Sequence, residues 1–365
     1  METAEGEAAE VKEASGVTMS ETESSGGFPV YGPEDVRALL DYDGCITAVR
    51  SAMARFSGDG RPQPLRTVAE IAPAALLGLM PGWLGEPDGF GAKVISVFPD
   101  PQRPGRSFHR GIVVLFDRVS GKVECIADAG EVTEIRTAAA SAVATDALAR
   151  ADARRLALYG CGAQAASHLH ALVRVRQLEQ VLVWGRSFER ASRFADRMGR
   201  EVSVPVRAVA DAHEAAVAAD IICTVTGSPA PVLLGGWVQP GTHVNAVGSS
   251  QPGPAEIDEA LVVSSRYVVD SRRSALAAAS EFLLAKKAGL VGDDHIVAEI
   301  GEILLGRVPG RKSKEDITVY KSLGHIVQDL AAVQYLHARA MSGGDRRPVQ
   351  RAAAAEAPPG IEWRL

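Results

Sequence analysis

A regular alternation of short apolar segments with helix-forming stretches constrains the fold of this chain more than any other feature. Each segment is rich in apolar residues and ends in a glycine or a polar residue, and helical stretches separate most of them; the segments are RLALYG (155–160), QVLVWG (180–185), ADIICTVTG (219–227), THVNAVG (242–248) and RYVVDS (266–271). Strands that alternate with helices form a parallel sheet with helices on both faces. We therefore predict an α/β fold with a Rossmann-type, doubly wound sheet domain over residues 150–315.

The flanking segments predict a second α/β domain, made from residues 28–149 together with residues 316–341. One or two helices are expected over 33–57, and another helix over 135–150. Between them, a strand is expected over 91–99 and a hairpin of two strands over 111–128, with its turn at Ser120–Gly121. Helical segments are expected around 276–305. Residues 316–340 then predict a strand that leads into a long helix.

Both ends of the chain differ in composition from the rest. Residues 1–27 hold seven glutamates against one lysine, and residues 342–365 are dominated by Gly, Arg, Ala and Pro. Such segments cannot bury enough apolar surface to offset their ordering entropy, so we predict that both are disordered.

The bulk composition narrows the class of protein. It is 46% apolar and 23% charged with a net charge of −6, an ordinary globular balance that does not favour nucleic-acid binding. No apolar run is long enough for a membrane span. The four cysteines are scattered and no metal-binding motif is found, so we expect a cytoplasmic protein with no metal, nucleic-acid or membrane partner.

The stretch LALYGCGAQA indicates a dinucleotide-binding turn. Gly160, Gly162 and Ala165 form a G-x-G-x-x-A pattern that follows a predicted strand and opens a predicted helix, with Ala163 and Gln164 in the first helical turn. The first glycine allows the tight turn, the second lets the backbone approach a pyrophosphate, and the third small residue lets helix and strand pack closely. The phosphates would meet the unpaired N–H groups of the helix N-terminus. We predict a nicotinamide dinucleotide site.

The end of the next strand bears on the type of dinucleotide. An acid about 20 residues beyond the third motif position would bond the ribose 2′-hydroxyl of NAD(H). Gly185 stands at that distance from Ala165, Arg186 and Ser187 follow it, and Arg190 comes one turn later. A guanidinium and a hydroxyl group suit a 2′-phosphate, so we expect NADP(H) rather than NAD(H). The alternative is that Arg186 is only a solvated arginine at a strand end.

Several stretches together resemble the ornithine cyclodeaminase/mu-crystallin family. They occur in family order and span about residues 30–340: QPLRTV (63–68), LGLMPGWLG (77–85), AKVISVFP (92–99), TEIRTAAASAVAT (133–145), GCGAQA (160–165), NAVGSSQPGPAEID (245–258) and ITVYKSLGHIVQDLAA (317–332). The resemblance implies a Rossmann domain, an α/β dimerisation and substrate domain built from both chain ends, and an active site in the cleft between them. It also implies a homodimer that acts on a small α-amino or α-imino acid.

The resemblance places the substrate-binding cations at three positions. The carboxylate-binding arginines of the family match Arg66 and Arg136, and its active-site lysine matches Lys93. A carboxylate in a partly dry cleft needs cations, and a bidentate guanidinium fixes its plane. We expect the two arginines to disfavour the charged form of Lys93 and to lower its pKa, which suits a proton donor near neutral pH. For each residue the alternative is a surface salt bridge.

Other positions are expected near the nicotinamide. Thr137, Ser322 and, more loosely, His109 match family positions that approach this end of the cofactor. Thr226, Val247 and Gly248 lie at the carboxyl ends of later strands, where open α/β sheets bind ligands.

The sequence departs from the cyclodeaminase pattern at one catalytic position. The cyclodeaminases that this chain resembles have a VGGD-like turn at this position, and its aspartate is catalytic. In this chain the turn reads VGSS, so Ser250 stands in place of that aspartate. A serine hydroxyl is a poor acid or base at neutral pH, so we expect reduction of a preformed imine, either as a ketimine reductase or as an amino acid dehydrogenase. The alternatives are a cyclodeaminase, an NAD-dependent alanine-type dehydrogenase, or a non-catalytic protein that binds NADPH or a small ligand.

Overall fold

The computed structural model describes residues 27–73, 75–99, 107–343 and 350–353, and the side chains of residues 99, 107–109 and 350–353 lie outside this description. These residues form two sheets with their helices. No helix among them is both long and apolar enough to cross a membrane. Apart from Gly27, the predicted N-terminal tail lies outside the described residues.

The first sheet has seven strands and belongs to the domain built from both chain ends. Its order is β15-β1-β6-β5-β4-β3-β2, with β1 and β6 parallel and the other neighbours antiparallel. The strands are β1 (Gly27–Tyr31), β2 (Thr67–Ala72), β3 (Ala75–Trp83), β4 (Phe90–Pro99), β5 (Ser107–Phe116), β6 (Val123–Asp128) and β15 (Gln350–Ala353). The predicted hairpin is β5–β6, and Gly121 takes the left-handed conformation at its turn, with φ of 68°.

Four helices belong to this domain: α1 (Pro33–Leu39), α2 (Tyr42–Asp59), α3 (Ala129–Leu148) and α11 (Ile326–Ser342). Helix α3 begins where the Asp128 carboxylate accepts a hydrogen bond from the Glu131 backbone N–H at 2.9 Å. Its alanines are buried on almost every side, because it packs against α2, α4 and α11 as well as against strands of both sheets. Helices that are apolar all round are buried in this way.

The second sheet is fully parallel and has the order β13-β12-β14-β11-β10-β7-β8-β9. Its strands are β7 (Arg155–Tyr159), β8 (Gln180–Trp184), β9 (Val206–Ala208), β10 (Ile221–Thr224), β11 (His243–Ala246), β12 (Ser265–Val269), β13 (Ile296–Glu299) and β14 (Ile317–Lys321). Its helices are α4 (Ala163–Val175), α5 (Phe188–Glu201), α6 (Ala212–Val217), α7 (Glu259–Ser264), α8 (Arg272–Ala278), α9 (Ser280–Lys287) and α10 (Ile300–Leu304). This is the predicted doubly wound α/β sheet.

The strand order locates the ligand crevice. The chain runs outward through β7, β8 and β9 and then returns to place β10 on the other side of β7. Such a reversal leaves a crevice outside the carboxyl ends of the two central strands, where ligands of open α/β sheets bind. The glycine turn follows β7, so it lies at this switch point.

Three details of the predicted organisation were wrong. Strand β14, assigned to the substrate domain with residues 316–341, lies instead in the parallel sheet between β11 and β12, and only α11 returns to the first domain. Its side chains are buried on both faces, as a central parallel strand requires. Strand β13 lies within the stretch 276–305 that was predicted to be helical. Residues 350–353, inside the predicted disordered tail, form β15 by pairing with β1.

Candidate active site and dinucleotide site

The glycine turn has the backbone that a pyrophosphate requires. Gly160 has φ of 125°, and a Cβ there would lie 2.8 Å from the carbonyl oxygen of Val225. Gly162 is the N-cap of α4, has no side-chain cap, and has nothing within 4 Å of the place a Cβ would occupy. This uncapped helix end therefore borders open space, which fits a bound phosphate. Ala165 is fully buried, as close packing of helix and strand demands.

A cavity of about 420 Å³ extends from this turn across the carboxyl ends of β7, β8 and β10. Among the predicted cofactor residues, those that line it are Gly160, Gly162, Arg186, Ser187, Arg190 and Thr226. Ala163 is exposed in the first turn of α4, and the buried Oε1 of Gln164 beside it has no hydrogen-bond partner among the described residues. The cavity and its uncapped helix end fit a dinucleotide.

Arg186, Ser187 and Arg190 form the corner of this cavity beyond β8. Ser187 caps α5 by accepting a hydrogen bond from the Arg190 backbone N–H at 3.3 Å. Both guanidinium groups are exposed, and no carboxylate in the described part of the chain forms an ion pair with either one. Two unpaired cations beside a cap hydroxyl make this corner suitable for an anion.

The remaining predicted cofactor residues lie elsewhere. Val247 and Gly248 follow β11 and Ser322 follows β14, all at carboxyl ends of the parallel sheet. Thr137 is buried in α3 next to Arg136. His109 lies in β5, and its side chain is outside the described part of the structure.

A buried charged cluster joins three elements that are far apart in sequence. Lys93 lies on β4, Arg136 on α3, and Asp329 on α11. The Lys93 Nζ and the Arg136 Nε donate to the same Oδ1 of Asp329, at 2.9 and 3.0 Å. Lys93 is 2% exposed, Arg136 5% and Asp329 0%, so the surface salt bridge expected as the alternative does not apply to these two cations. Asp329 was not among the site residues predicted from the sequence. The one local sign of its role is that a carboxylate stands within the mainly apolar stretch IVQDLAA.

The cluster also has neutral contacts that fix its geometry. Lys93 Nζ donates to the Thr133 hydroxyl at 2.5 Å, and Arg136 Nη1 donates to Gln328 Oε1 at 2.9 Å. Two residues before Arg136 in α3, the Glu134 carbonyl accepts from the Ser167 hydroxyl of α4 at 2.8 Å. Helix α4 begins at the glycine turn, so this contact ties the charged cluster to the dinucleotide site.

The pKa of Lys93 is lowered to about 8. Burial is the largest cause, and the charges of Arg136 and Arg66 act in the same direction, whereas Asp329 opposes them. The predicted direction is therefore confirmed, but desolvation contributes more than the two arginines do. Burial raises the pKa of Asp329, but Arg136 and Lys93 outweigh burial and hold it below its usual value.

Arg66 lies just before β2 and contacts loops that follow β11 and β14 of the parallel sheet. Its guanidinium donates to the backbone carbonyls of Ser250 at 3.1 Å, Gly324 at 2.9 Å and Leu323. Gly324 also touches Arg136, because a Cβ at this glycine would lie 2.8 Å from Arg136 Nη1. Arg66 and Ser250 line a separate cavity of about 220 Å³ between the two domains.

The sequence profile of the ornithine cyclodeaminase/mu-crystallin family matches residues 30–344. The protein belongs to this family. Among its relatives, the Delta(1)-pyrroline-2-carboxylate reductase of Bacillus cereus is 34% identical over 317 residues, which cover 86% of this chain and 97% of the relative. The ketimine reductase mu-crystallin of Mus musculus is 35% identical over 302 residues, covering 82% and 92%. The resemblance predicted from the motifs is confirmed.

Solved structures share the whole fold. The Thermococcus litoralis Delta(1)-pyrroline-2-carboxylate reductase in complex with NADH and L-proline has a TM-score of 0.82 and 30% identity, covering 86% of this chain and 98% of that one. An archaeal alanine dehydrogenase dimer with bound NAD has a TM-score of 0.81 and 28% identity, covering 87% and 97%. The predicted α/β architecture with a Rossmann-type domain is thereby confirmed.

Proposed function

We propose that this protein is an NADP(H)-dependent reductase of an α-imino acid, which delivers a hydride to the carbon of a C=N bond. The buried cluster of Lys93, Arg136 and Asp329, tied to the uncapped helix at the switch point, is the observation on which this proposal depends. Relatives named as pyrroline-2-carboxylate and ketimine reductases support the same chemistry.

The preference for NADP(H) rests on the corner formed by Arg186, Ser187 and Arg190. Gly160, Gly162, Ala163 and Gln164 would hold the pyrophosphate, and this corner would hold the 2′-phosphate through charge-assisted hydrogen bonds. The relatives of known structure bind NADH or NAD. NAD(H) is therefore the alternative, and the cofactor assay below separates the two.

Arg136 is the proposed carboxylate-binding residue. A guanidinium has five N–H donors, and two of them are engaged by Asp329 and Gln328 among the described residues, which leaves three for a substrate carboxylate. Arg66 is bonded to three backbone carbonyls instead. We assign Arg66 chiefly to fixing the 250 and 323–324 loops and to adding positive charge to the cleft.

Lys93 is the proposed proton donor. Its ammonium group has three donors, of which Thr133 and Asp329 accept two, so one N–H is left for the imine nitrogen. A pKa of about 8 keeps Lys93 largely protonated at neutral pH and close to the value at which general acid catalysis is efficient. When bound, the reduced nicotinamide supplies the hydride to the imine carbon, and positioning contributes much of the acceleration.

Ser250 supports reduction over cyclodeamination. It occupies the catalytic position at which the cyclodeaminase pattern has an aspartate, and a neutral hydroxyl carries no charge to stabilise a cationic intermediate. The nearby carboxylate, Asp329, is engaged by two cations. These features favour an enzyme that receives a preformed imine.

We also propose a homodimer formed through the outer face of the seven-stranded sheet. Leu79, Val94 and Ile112 are cross-strand partners in one row, on the face opposite to Lys93. Leu79 and Ile112 are each 42% exposed, as is Leu77, and Phe90 is 38% exposed. A largely apolar sheet face of this kind indicates a protein interface, and an alanine dehydrogenase of the same fold is a dimer.

A cofactor oxidation assay tests the proposed function. The purified protein is mixed with NADPH or NADH and with pyrroline carboxylate, piperideine carboxylate or mixtures of a keto acid and an amine, and the loss of the reduced cofactor is followed by absorbance. We expect NADPH to be consumed with an imino acid and faster than NADH. Consumption of neither cofactor with any imine would contradict the proposal and favour a binding protein, whereas ammonia release from ornithine would favour a cyclodeaminase.

A further inference from the structure

Two loops follow the carboxyl ends of the neighbouring strands β10 and β11, beside the dinucleotide crevice. Residues 225–228 follow β10 and line the cavity of about 420 Å³. Residues 247–250 follow β11 and continue to Ser250. Neither loop has regular secondary structure, so other contacts must set its position.

The side chain of Glu256 connects the two loops and is completely buried. Its Oε1 accepts hydrogen bonds from the backbone N–H of Thr226 at 2.6 Å and from the hydroxyl of the same residue at 2.7 Å. Its Oε2 accepts from the Thr224 hydroxyl at 2.8 Å and from the Gly248 backbone N–H at 2.5 Å. An ionised carboxylate accepts all four bonds, whereas an amide replaces one acceptor atom with a donor. Burial raises the pKa of Glu256, and the hydrogen bonds from Thr226 and Thr224 and the charge of Lys321 oppose that rise.

The backbone of Glu256 is itself held firmly. Its carbonyl accepts from the N–H groups of Val232 and Leu233 at 2.8 and 3.1 Å, and its N–H donates to the buried carboxylate of Glu281 at 3.2 Å. Glu281 also accepts from the Lys321 ammonium at 3.1 Å. The carboxylate of Glu256 is therefore presented to the two loops from a rigid support.

Gly248 shows how closely the two loops approach each other. A Cβ at this position would lie 2.1 Å from the carbonyl oxygen of Thr226 and 2.4 Å from Oε1 of Glu256. Only glycine fits there. The N–H groups of Val247 and Gly248 also donate to the Thr224 carbonyl at 3.0 and 3.2 Å, so the carboxylate adds to a direct backbone contact between the two strand ends.

We propose that Glu256 is a positioning residue for the nicotinamide end of the cofactor. It acts through Thr226 and Gly248, which it locks together as one wall of the crevice, and it does not contact the cofactor itself. This inference rests on the proposed dinucleotide-dependent function. The adenosine end of the cofactor would lie at the Arg186 corner beyond β8. Loss of the Glu256 hydrogen bonds to Thr226 and Gly248 should therefore affect the nicotinamide end and spare the adenosine end.

Glu256→Gln tests the inference with almost no change of volume. The amide nitrogen cannot accept a hydrogen bond, so either the Thr226 or the Gly248 contact is lost. We expect the affinity for adenosine 2′,5′-bisphosphate, measured by calorimetry, to stay at the wild-type value. We expect the affinity for NADPH or the kcat for imine reduction to fall about tenfold or more, the loss of one charge-assisted hydrogen bond.

Asp220→Asn is the matched control. Asp220 is a buried carboxylate at the amino end of β10, where it accepts from Arg155 and from two backbone N–H groups. We expect this variant to lower the melting temperature while leaving the NADPH affinity and kcat unchanged. If Glu256→Gln behaved like this control, or weakened both ligands equally, the role of Glu256 would be structural only and the inference would be overturned.

A milder variant covers the case in which Glu256→Gln does not fold. Thr224→Val removes a single donor to Oε2 from a residue that does not line the cavity, and the same end-selective loss is expected at smaller size. A lower NADPH affinity or kcat in this variant, with unchanged affinity for adenosine 2′,5′-bisphosphate, supports the proposed role of Glu256. Unchanged NADPH affinity and kcat overturn it. A wild-type protein that bound neither NADPH nor NADH would instead contradict the proposed function, and the inference would fall with it.

Discussion

The substitution Asp329→Asn tests the electrostatics of the proposed active site most directly. It keeps the shape of the side chain and one acceptor oxygen but removes the negative charge shared by Lys93 and Arg136. Asp329 raises the pKa of Lys93 against the lowering effects of burial and of Arg136. Without that charge, the pKa of Lys93 should fall further below its present value of about 8.

The size of the shift follows from the contact. A hydrogen bond to a charged group contributes about 1.5–3 kcal/mol, and one pH unit corresponds to about 1.36 kcal/mol. Loss of the negative charge on the oxygen that accepts from Lys93 should therefore lower the pKa of Lys93 by about one to two units. Because the proposed role requires a protonated Lys93, kcat/KM for reduction should fall as pH rises through about 8 in the wild type and at correspondingly lower pH in the variant.

The assay is kcat/KM for imine reduction over a range of pH, with NADPH binding measured separately at each pH. Asn keeps one acceptor, so the loss of stability should lie below the ~3–5 kcal/mol expected when one partner of a buried pair is removed outright. Asp220→Asn alters a buried carboxylate next to the parallel sheet that does not influence the pKa of Lys93, so it should leave the pH at which kcat/KM falls unchanged. If kcat/KM of Asp329→Asn still fell near pH 8, the proposed electrostatic coupling between Asp329 and Lys93 would be refuted.

Three further predictions concern the proton donor, the cofactor corner and the dimer. Lys93→Ala should lower kcat about 100-fold or more while NADPH still binds in calorimetry, and intact turnover would show that another group donates the proton. Arg186→Ala should weaken NADPH about tenfold or more and NADH little; equal effects on both would remove the argument for NADP(H). Leu79→Glu with Ile112→Glu should yield monomers in sedimentation, whereas Val119→Glu, at a position 88% exposed in a hairpin turn, should not; a double variant that stayed dimeric would exclude this face.

Much of the parallel-sheet domain could be predicted because its signals are local. The strand, the Gly160–Gly162 turn and helix α4 follow one another within some twenty residues, and each is specified by its own residue types. Strand β13 was missed because its short apolar run is flanked by helix-like sequence. Strand β14 was assigned to the wrong domain because nothing local distinguishes a strand that pairs with β11 from one that pairs within the other sheet.

The candidate site could be predicted only in part, for a related reason. The motifs identified Lys93 and Arg136, but Asp329 stands almost 200 residues beyond Arg136 in sequence and 3.0 Å from it in space. The motif position of Arg66 was also predicted, but not that its guanidinium is bonded to the carbonyls of two loops. Glu256 lies in a stretch that resembles the family, but its local sequence indicates no role, because the groups that donate to its carboxylate are brought to it only when β10 and β11 pair.

The sequence by itself determined the strand–turn–helix geometry at Gly160 and Gly162, the cations after β8, and membership of the ornithine cyclodeaminase/mu-crystallin family. These depend on backbone conformation and residue type over short stretches of chain. Only the tertiary structure decided that Lys93 and Arg136 share one buried carboxylate and that desolvation chiefly lowers the pKa of Lys93. Burial and Coulomb interaction depend on distance in space, and that distance is set only when β4, α3 and α11 pack together.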